Sequence, residues 1–215
     1  MRVAALCDIH GNLPALEAVL ADVERAGVDL IIIGGDVLPG PFPRATLDRL
    51  AQLDARFVMG NGDREAIDEF PEVAAYEPTV TVAIDGLGPV LFCHGSPCSD
   101  TEIITTLTSE ERLAPILEGV AERVIVGGHT HRQFDRRVLG RRLVNAGAVG
   151  MPYEGVAAAF WALIGPDVEL RRTDYDVAAA LESMPAEAVE QLRESLVEPI
   201  DPDEVSAYFE RSAWS

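Results

Sequence analysis

Gly127-Gly128-His129-Thr130-His131, directly behind the apolar run Val124-Ile125-Val126, decides the fold. The run reads as a short buried strand, so two imidazoles arrive where the chain leaves a sheet. In extended backbone, positions two apart face one side, and His129 and His131 are therefore expected to reach one locus or two neighbouring metal ions. The paired glycines let the backbone come close to that locus. A His-x-His pair by itself sits as readily on a surface or in a core. What decides is that the same arrangement recurs along the chain.

Upstream, Val3-Ala4-Ala5-Leu6-Cys7 runs into Asp8-Ile9-His10-Gly11-Asn12, and Leu30-Ile31-Ile32-Ile33 runs into Gly34-Gly35-Asp36. Phe57-Val58-Met59 leads to Gly60-Asn61-Gly62-Asp63, and Val90 to Phe92 leads to Cys93-His94-Gly95. Asn-Gly is also the commonest tight hairpin turn. A hairpin needs a second strand, however, and Arg64 to Glu69 reads as helix.

Between these runs the pattern alternates. Leu13, Leu16, Val19, Leu20 and Val23 have helical spacing over Leu13 to Ala26, with Asn12 as cap and Pro14 tolerated in the first turn. The Leu30–Ile33 run lacks polar alternation, as a parallel strand covered on both faces does. A helix is expected over about 44–53, and another, capped by Thr108 with Glu111, up to about Leu117. Val80–Ile84 with Val90–Phe92, Phe134–Leu139 with Arg141–Val144, and Val156–Ile164 with Val168–Arg172 read as adjacent strand pairs. Residues 98–107 form a loop that lies over a site or merely links elements. The spacing gives an α/β domain over 1–173 and an acidic helical extension over 174–215, capped by Asp174 and broken near Met184-Pro185 and Pro199–Pro202. Its Val177, Leu181, Val189, Leu192, Leu196, Tyr208 and Phe209 are expected to cover a sheet face or a neighbouring subunit, which keeps a homo-oligomer open.

Hydrophobic residues make up 48% of the 215, yet no run reaches membrane-span length and the N-terminus enters a strand at once. A soluble cytoplasmic protein without a membrane partner is the expectation. Three cysteines without a Cys-x-x-Cys pair argue against structural zinc and disulfides. The formal charge of −19 repels polyanions, so a nucleic-acid polymer is a poor partner unless a local basic patch exists, and none is obvious. An anionic substrate then needs a site that makes its own positive charge, and bound metal ions do that directly.

Each of the five apolar runs ends in metal-capable residues: Asp8 with His10, Asp36, Asn61, His94, and His129 with His131. Open α/β sheets gather ligands at the carboxyl ends of their strands. All four histidines of the chain fall in this set, which scattered packing or surface histidines would not do. Seven ligands exceed one ordinary zinc site and suit two ions. The mixture of imidazole, carboxylate and one amide favours Mn²⁺, with Fe, Zn²⁺ or Ni²⁺ as alternatives, over Ca²⁺. Two such ions about 3.5–4 Å apart hold a bridging hydroxide and clamp a tetrahedral oxyanion, the geometry of phosphate-ester hydrolysis.

The ordered series Asp8-x-His10, Gly35-Asp36, Gly60-Asn61-x-Asp63, His94-Gly95 and Gly128-His129-x-His131 resembles the signature of the calcineurin-like metallophosphoesterases, particularly the small bacterial and archaeal phosphodiesterase-type members. The resemblance covers roughly residues 1–165. It implies a four-layer α/β/β/α sandwich, one ion on Asp8, His10 and His131, the other on Asn61, His94 and His129, and Asp36 bridging. It also implies a catalytic set of Asp36, Asn61, His94 and Asp63, with Asn61 and Arg64 contacting a small-molecule phosphate ester. Many members carry a histidine acid between the Asn and the Asp of the third motif; here Gly62 stands in its place. General acid catalysis is typically worth about 10² to 10⁴ in rate. Good leaving groups are therefore expected, and restoring the acid by Gly62→His is expected to help poor ones. Asn145-Ala146-Gly147-Ala148-Val149-Gly150 is similar to the Asn-Pro-Gly-Ser-Val-Gly of the small members, with the backbone turn left to carry any phosphate contact. The competing readings are a non-catalytic scaffold of this fold, as in the retromer scaffold subunit, a phosphomonoesterase, and a single-metal or redox iron protein.

Overall fold

A computed structural model describes residues 1–213. Two five-stranded sheets lie face to face. The first has the order β10-β9-β1-β2-β3 and the second β4-β5-β6-β8-β7. In the first, β1 (Val3–Leu6), β2 (Leu30–Ile33) and β3 (Ala55–Phe57) run parallel, while β9 (Ala159–Ile164) returns antiparallel between β1 and β10 (Val168–Thr173). In the second, β5 (Gly88–Phe92), β6 (Val124–Gly127) and β8 (Arg141–Asn145) are parallel, flanked by antiparallel β4 (Val80–Ile84) and β7 (Phe134–Val138).

Three apolar layers hold the sandwich. Val3, Ala5, Ile32, Val82, Phe92 and Val126 meet between the sheets. On the outer side of the first sheet, Leu16, Val19, Leu20 and Val23 of helix α1 (Leu13–Ala26) and Leu47 and Leu50 of α2 (Pro43–Leu50) cover Leu6 and Ile33. On the outer side of the second, Leu113, Ile116 and Leu117 around α4 (Glu110–Ile116) cover Leu91, Ile125 and Leu143. The order is α/β/β/α, as the resemblance implies. With both faces of β1 and β6 buried and β2 at least partly buried throughout, their side chains have no polar face to alternate with.

Local signals set most boundaries. The Asn12 side chain accepts from the Ala15 amide and α1 ends at left-handed Gly27. Elsewhere the structure moves them. Ser109, not Thr108, caps α4, because the Thr108 hydroxyl bonds the Thr105 amide and Glu210. Helix α3 (Asn61–Glu65) begins at the third-motif asparagine itself rather than at Arg64. In the tail, Asp176 rather than Asp174 caps α5 (Val177–Ser183), whose neighbours are α6 (Ala186–Gln191), a π-turn over Arg193–Val197 and α7 (Pro202–Ser212). Val177, Leu181, Val189, Leu192 and Leu196 pack as a separate cluster against Phe42, Met151 and Tyr175, so they cover connecting segments beside the sandwich instead of a sheet face. No helix among the described residues is long and apolar enough to cross a membrane.

Candidate metal centre

Every expected ligand lies in the segment just beyond a strand, at the edge where the carboxyl ends of β1, β2, β3, β5 and β6 meet. The backbone there is not extended. Asp8, His10, Asp36, His129 and His131 have φ of 54°, 45°, 51°, 68° and 56°, and the one other non-glycine residue with positive φ among the described residues is Leu139. The two-residue alternation that puts Asp8 with His10 and His129 with His131 on one face therefore does not operate; left-handed turns aim these side chains individually. Each such residue costs roughly 1–3 kcal/mol and persists only where surrounding bonds impose it. Those bonds are visible: the Asp8 and His10 amides donate to the Gly35 and Asp36 carbonyls, and the His129 amide to Asp8 Oδ2.

Two groups form. Asp8, His10 and His131 make one, and Asp36, His94 and His129 the other, so His129 and His131 serve neighbouring loci. In the first, Nε2 of His10 and Nε2 of His131 stand 3.2 Å apart, and His131 Nε2 is 3.3 Å from Asp8 Oδ1. In the second, His94 Nε2 is 3.4 Å from Asp36 Oδ1. Ligands about 2.1 Å from a common tetrahedral ion stand about 3.4 Å from one another. Asp36 faces both groups, with Oδ1 toward His94 and Oδ2 at 3.8 Å from His10. The other ring nitrogens are already engaged: His94 Nδ1 with the Gly34 carbonyl at 2.9 Å and His131 Nδ1 with the Met151 carbonyl at 2.7 Å. Donation there fixes the tautomer that leaves each Nε2 lone pair toward the locus.

Buried polar atoms normally have partners. Here Asp8 Oδ1, Asn61 Oδ1 and His94 Nε2 are buried without a hydrogen bond. Three orphans from three different loops, each an atom suited to a cation, show that this donor set fits divalent ions.

Residues 1–163 match the model of the calcineurin-like phosphoesterase superfamily domain. The chain belongs to this superfamily. It is similar to an uncharacterized protein of Methanocaldococcus jannaschii, at 25% identity over 85% of this chain and 91% of that one. Among solved structures it resembles a metallophosphoesterase from Sphaerobacter thermophilus, with 26% identity, TM-score 0.70, and coverage of 91% of this chain and 99% of the other. A hypothetical protein from Pyrococcus horikoshii shares the fold at 20% identity and TM-score 0.74, over 89% and 97% of the two chains. As a superfamily member the chain is a metal-binding phosphoric ester hydrolase.

Within this phosphoesterase the charges of the centre are strongly coupled. Burial opposes charge on His94, but the close Asp36 carboxylate, 3.4 Å from its Nε2, together with Asp8 outweighs burial and raises its pKa to about 9. Burial likewise opposes charge on Asp36, and the His94 and His10 rings with the Gly62 amide overcome it, holding the carboxyl well below its usual range. Burial and the neighbouring His131 ring push His10 down to about 4; burial and His94 do the same to His129. Neutral imidazoles are what a cation needs as ligands.

The remaining expected site residues take distinct places. Asn61 opens α3, and its Oδ1 is buried without a hydrogen bond. Asp63 is fully buried; its Oδ1 accepts from the Leu38 amide at 3.0 Å and its Oδ2 from the Gly60 amide at 3.3 Å, so it braces the two loops on either side of Asp36. Burial and Asp36 raise its pKa to about 7. Arg64 is half-exposed and pairs with Asp100 at 2.6 Å, drawing the loop after His94 over α3. That loop is further tied by Ser96, whose hydroxyl accepts from the Cys98 and Ser99 amides and donates to Glu102. Residues 145–150 do not offer a free phosphate cradle. The Val149 and Gly150 amides donate to the carbonyls of Cys7 and Asp8, and Asn145 Nδ2 donates to the Gly128 carbonyl, so the turn props the ligand loops from behind. Sequence reasoning missed the Gly34 and Met151 carbonyls that orient two ligands, since a backbone oxygen has no residue-type signal. It also missed Tyr153, whose ring stacks on His131 at 5.2 Å and 15°.

Proposed function

We propose that the chain is a dinuclear, metal-dependent hydrolase of small phosphodiesters or activated phosphomonoesters. Asp8, His10 and His131 would hold one ion, Asn61, His94 and His129 the other, and Asp36 both, with Mn²⁺ the first candidate. Two divalent ions supply acidity that makes water nucleophilic at neutral pH and polarises phosphoryl oxygens. The observation carrying this reading is the pair of adjoining side-chain groups, in which the unpartnered buried atoms Asp8 Oδ1 and His94 Nε2 stand 3.9 Å apart.

The chain's own residues do the rest. Asp36 receives the Gly62 amide at 2.7 Å and so keeps its carboxylate charged and fixed between the groups. Asn61 projects its amide oxygen from the first turn of α3 and positions the substrate, with Arg64 one turn away as the cation for a non-bridging phosphate oxygen. Asp63 acts through the Gly60 and Leu38 amides as a positioning residue. No side chain at position 62 can protonate the departing oxygen, which supports substrates whose leaving groups need no acid. In this reading residues 1–173 form the catalytic domain and 174–215 an extension upon it.

Manganese-loaded protein is expected to hydrolyse bis(p-nitrophenyl) phosphate, and Asp36→Ala or His94→Ala is expected to remove that activity. A loaded wild-type protein inert toward monoesters, diesters and cyclic nucleotides alike would sink the proposal.

A further inference from the structure

The superfamily match ends at residue 163, yet the tail beyond it builds a cavity beside the metal centre. The cavity, half open to solvent, spans about 640 Å³ between Tyr153, just after the 145–150 turn, and residues of the π-turn and α7. Its rings are continuous with a metal ligand. Tyr153 stacks on His131 at 5.2 Å, Phe209 lies 6.1 Å from Tyr153, and Tyr208 lies 6.0 Å from Phe209. Tyr208 is 61% exposed, so most of this large ring faces the cavity or solvent, with Phe209 at its edge. Ile200 and Val205 add apolar wall, while Arg211 brings one positive charge and Glu194 and Glu204 two negative ones to the lining. None of the ion pairs among the described residues uses Arg211.

Two sets of bonds hold α7 in this place. Arg132, next in sequence to His131, donates to the Pro202 carbonyl and the Ser206 hydroxyl, and Glu210 accepts from Thr105 and Thr108. The cavity wall is therefore fixed to the ligand loop on one side and to the 98–107 segment on the other.

We infer that this cavity is the subsite for a planar aromatic group carried by the phosphate ester, stacked among Tyr153, Tyr208 and Phe209 with Arg211 and Glu194 at its edge. The attachment of that group to a phosphate rests on the phosphoesterase reading; the aromatic recognition does not. Base-on-aromatic stacking is sequence-tolerant because every such ring has a π-face, while the guanidinium and carboxylate address hydrogen-bonding atoms on the edge. An aryl ester and a nucleoside ester share this chemistry. The two differ in span: an aryl ring sits directly on the phosphate, and a nucleobase one sugar further out.

Binding of phenyl phosphate, adenosine 5′-phosphate and methyl phosphate to the metal-free protein tests this by titration calorimetry. The two aromatic probes are expected to bind and methyl phosphate not. Tyr208→Ala, at an exposed position, is expected to weaken adenosine 5′-phosphate roughly tenfold and phenyl phosphate less if the occupant is a nucleobase, and both equally if it is an aryl ring. In the loaded enzyme the same variant is expected to lower the kcat/KM ratio of aromatic over aliphatic diesters about tenfold. Equal binding of all three probes, or an unchanged ratio, overturns the inference. Failure of the phosphoesterase reading looks different: the loaded wild type is then inert toward every ester while the aromatic probes still bind.

Discussion

The Leu38 carbonyl oxygen occupies the space into which residue 62 would extend a side chain. A β-carbon built on Gly62 meets that oxygen more closely than real Cβ atoms come, and lies 3.2 Å from both Asp36 Oδ1 and Pro39 Cδ. Residue 38 cannot yield readily, because its amide is bonded to buried Asp63. The histidine acid common in relatives is thus excluded by the loop after β2 and not merely deleted. The expectation that Gly62→His improves poor substrates is corrected accordingly. Gly62→His, and to a lesser degree Gly62→Ala, should destabilise by about 1–3 kcal/mol, as overpacking does, and lower activity on aryl and alkyl esters alike by at least about tenfold. Thermal unfolding beside kinetics on the two ester types checks this; a gain confined to alkyl esters would reinstate the acid.

Asp63 offers a second test, since its two oxygens serve the Leu38 and Gly60 amides on either side of Asp36. Asn in its place turns an NH₂ toward one of those amides and leaves a buried donor unmatched, at about 1–3 kcal/mol. As a brace, Asp63→Asn is expected to lower manganese affinity and stability together with kcat. If it acted directly on substrate, kcat alone would fall and the manganese isotherm would stay where it was.

Much of this was legible in the chain. The strand-ending positions of Asp8, Asp36, Asn61, His94 and His129 follow from apolar runs, and the layer order follows from the resemblance those residues carry. What the pattern hid was backbone. Positive φ at five ligands cannot be read from residue type, since Asp and His enter the left-handed region more often than most residues but still rarely, and here it is imposed by cross-sheet bonds such as His129 N to Asp8 Oδ2, 121 residues apart. Thr108 looked like a cap because its helical partner is near in sequence, whereas the contact that claims it, Glu210, is distant. The 145–150 turn looked like a phosphate cradle because its amides were uncounted; Cys7 and Asp8 use them.

Loading the centre should release protons. Without a cation, His94 holds its proton up to about pH 9, after burial is outweighed by Asp36 and Asp8, and a ligating imidazole must be neutral. The free site therefore binds a proton that the loaded site does not, so affinity for manganese should rise with pH, by up to about tenfold per unit, and level off near pH 9. Calorimetric titrations in buffers of different ionisation enthalpy measure the release directly. Uptake of protons, or an affinity flat between pH 6 and 9, contradicts the charge state assigned to His94.

The Arg64–Asp100 pair sets the last prediction. Arg64 Nε lies 2.6 Å from Asp100 Oδ2, and its Nη2 is 3.4 Å from Oδ1, so the guanidinium proposed to meet substrate is already facing a carboxylate. Both side chains are solvent-accessible, Arg64 at 47% and Asp100 at 23%. Solvent screening makes such a pair a small contributor to stability, so removing either partner should leave thermal unfolding nearly unchanged. Substrate binding is a different matter, because a phosphate must displace Asp100 before it meets Arg64. Asp100→Asn should therefore lower KM for diesters several-fold, Arg64→Ala should raise it several-fold, and the double variant should match Arg64→Ala, since freeing a cation that is absent does nothing. If Asp100→Asn lowers KM equally in the Arg64→Ala background, the carboxylate acts on substrate by its own charge and not through Arg64.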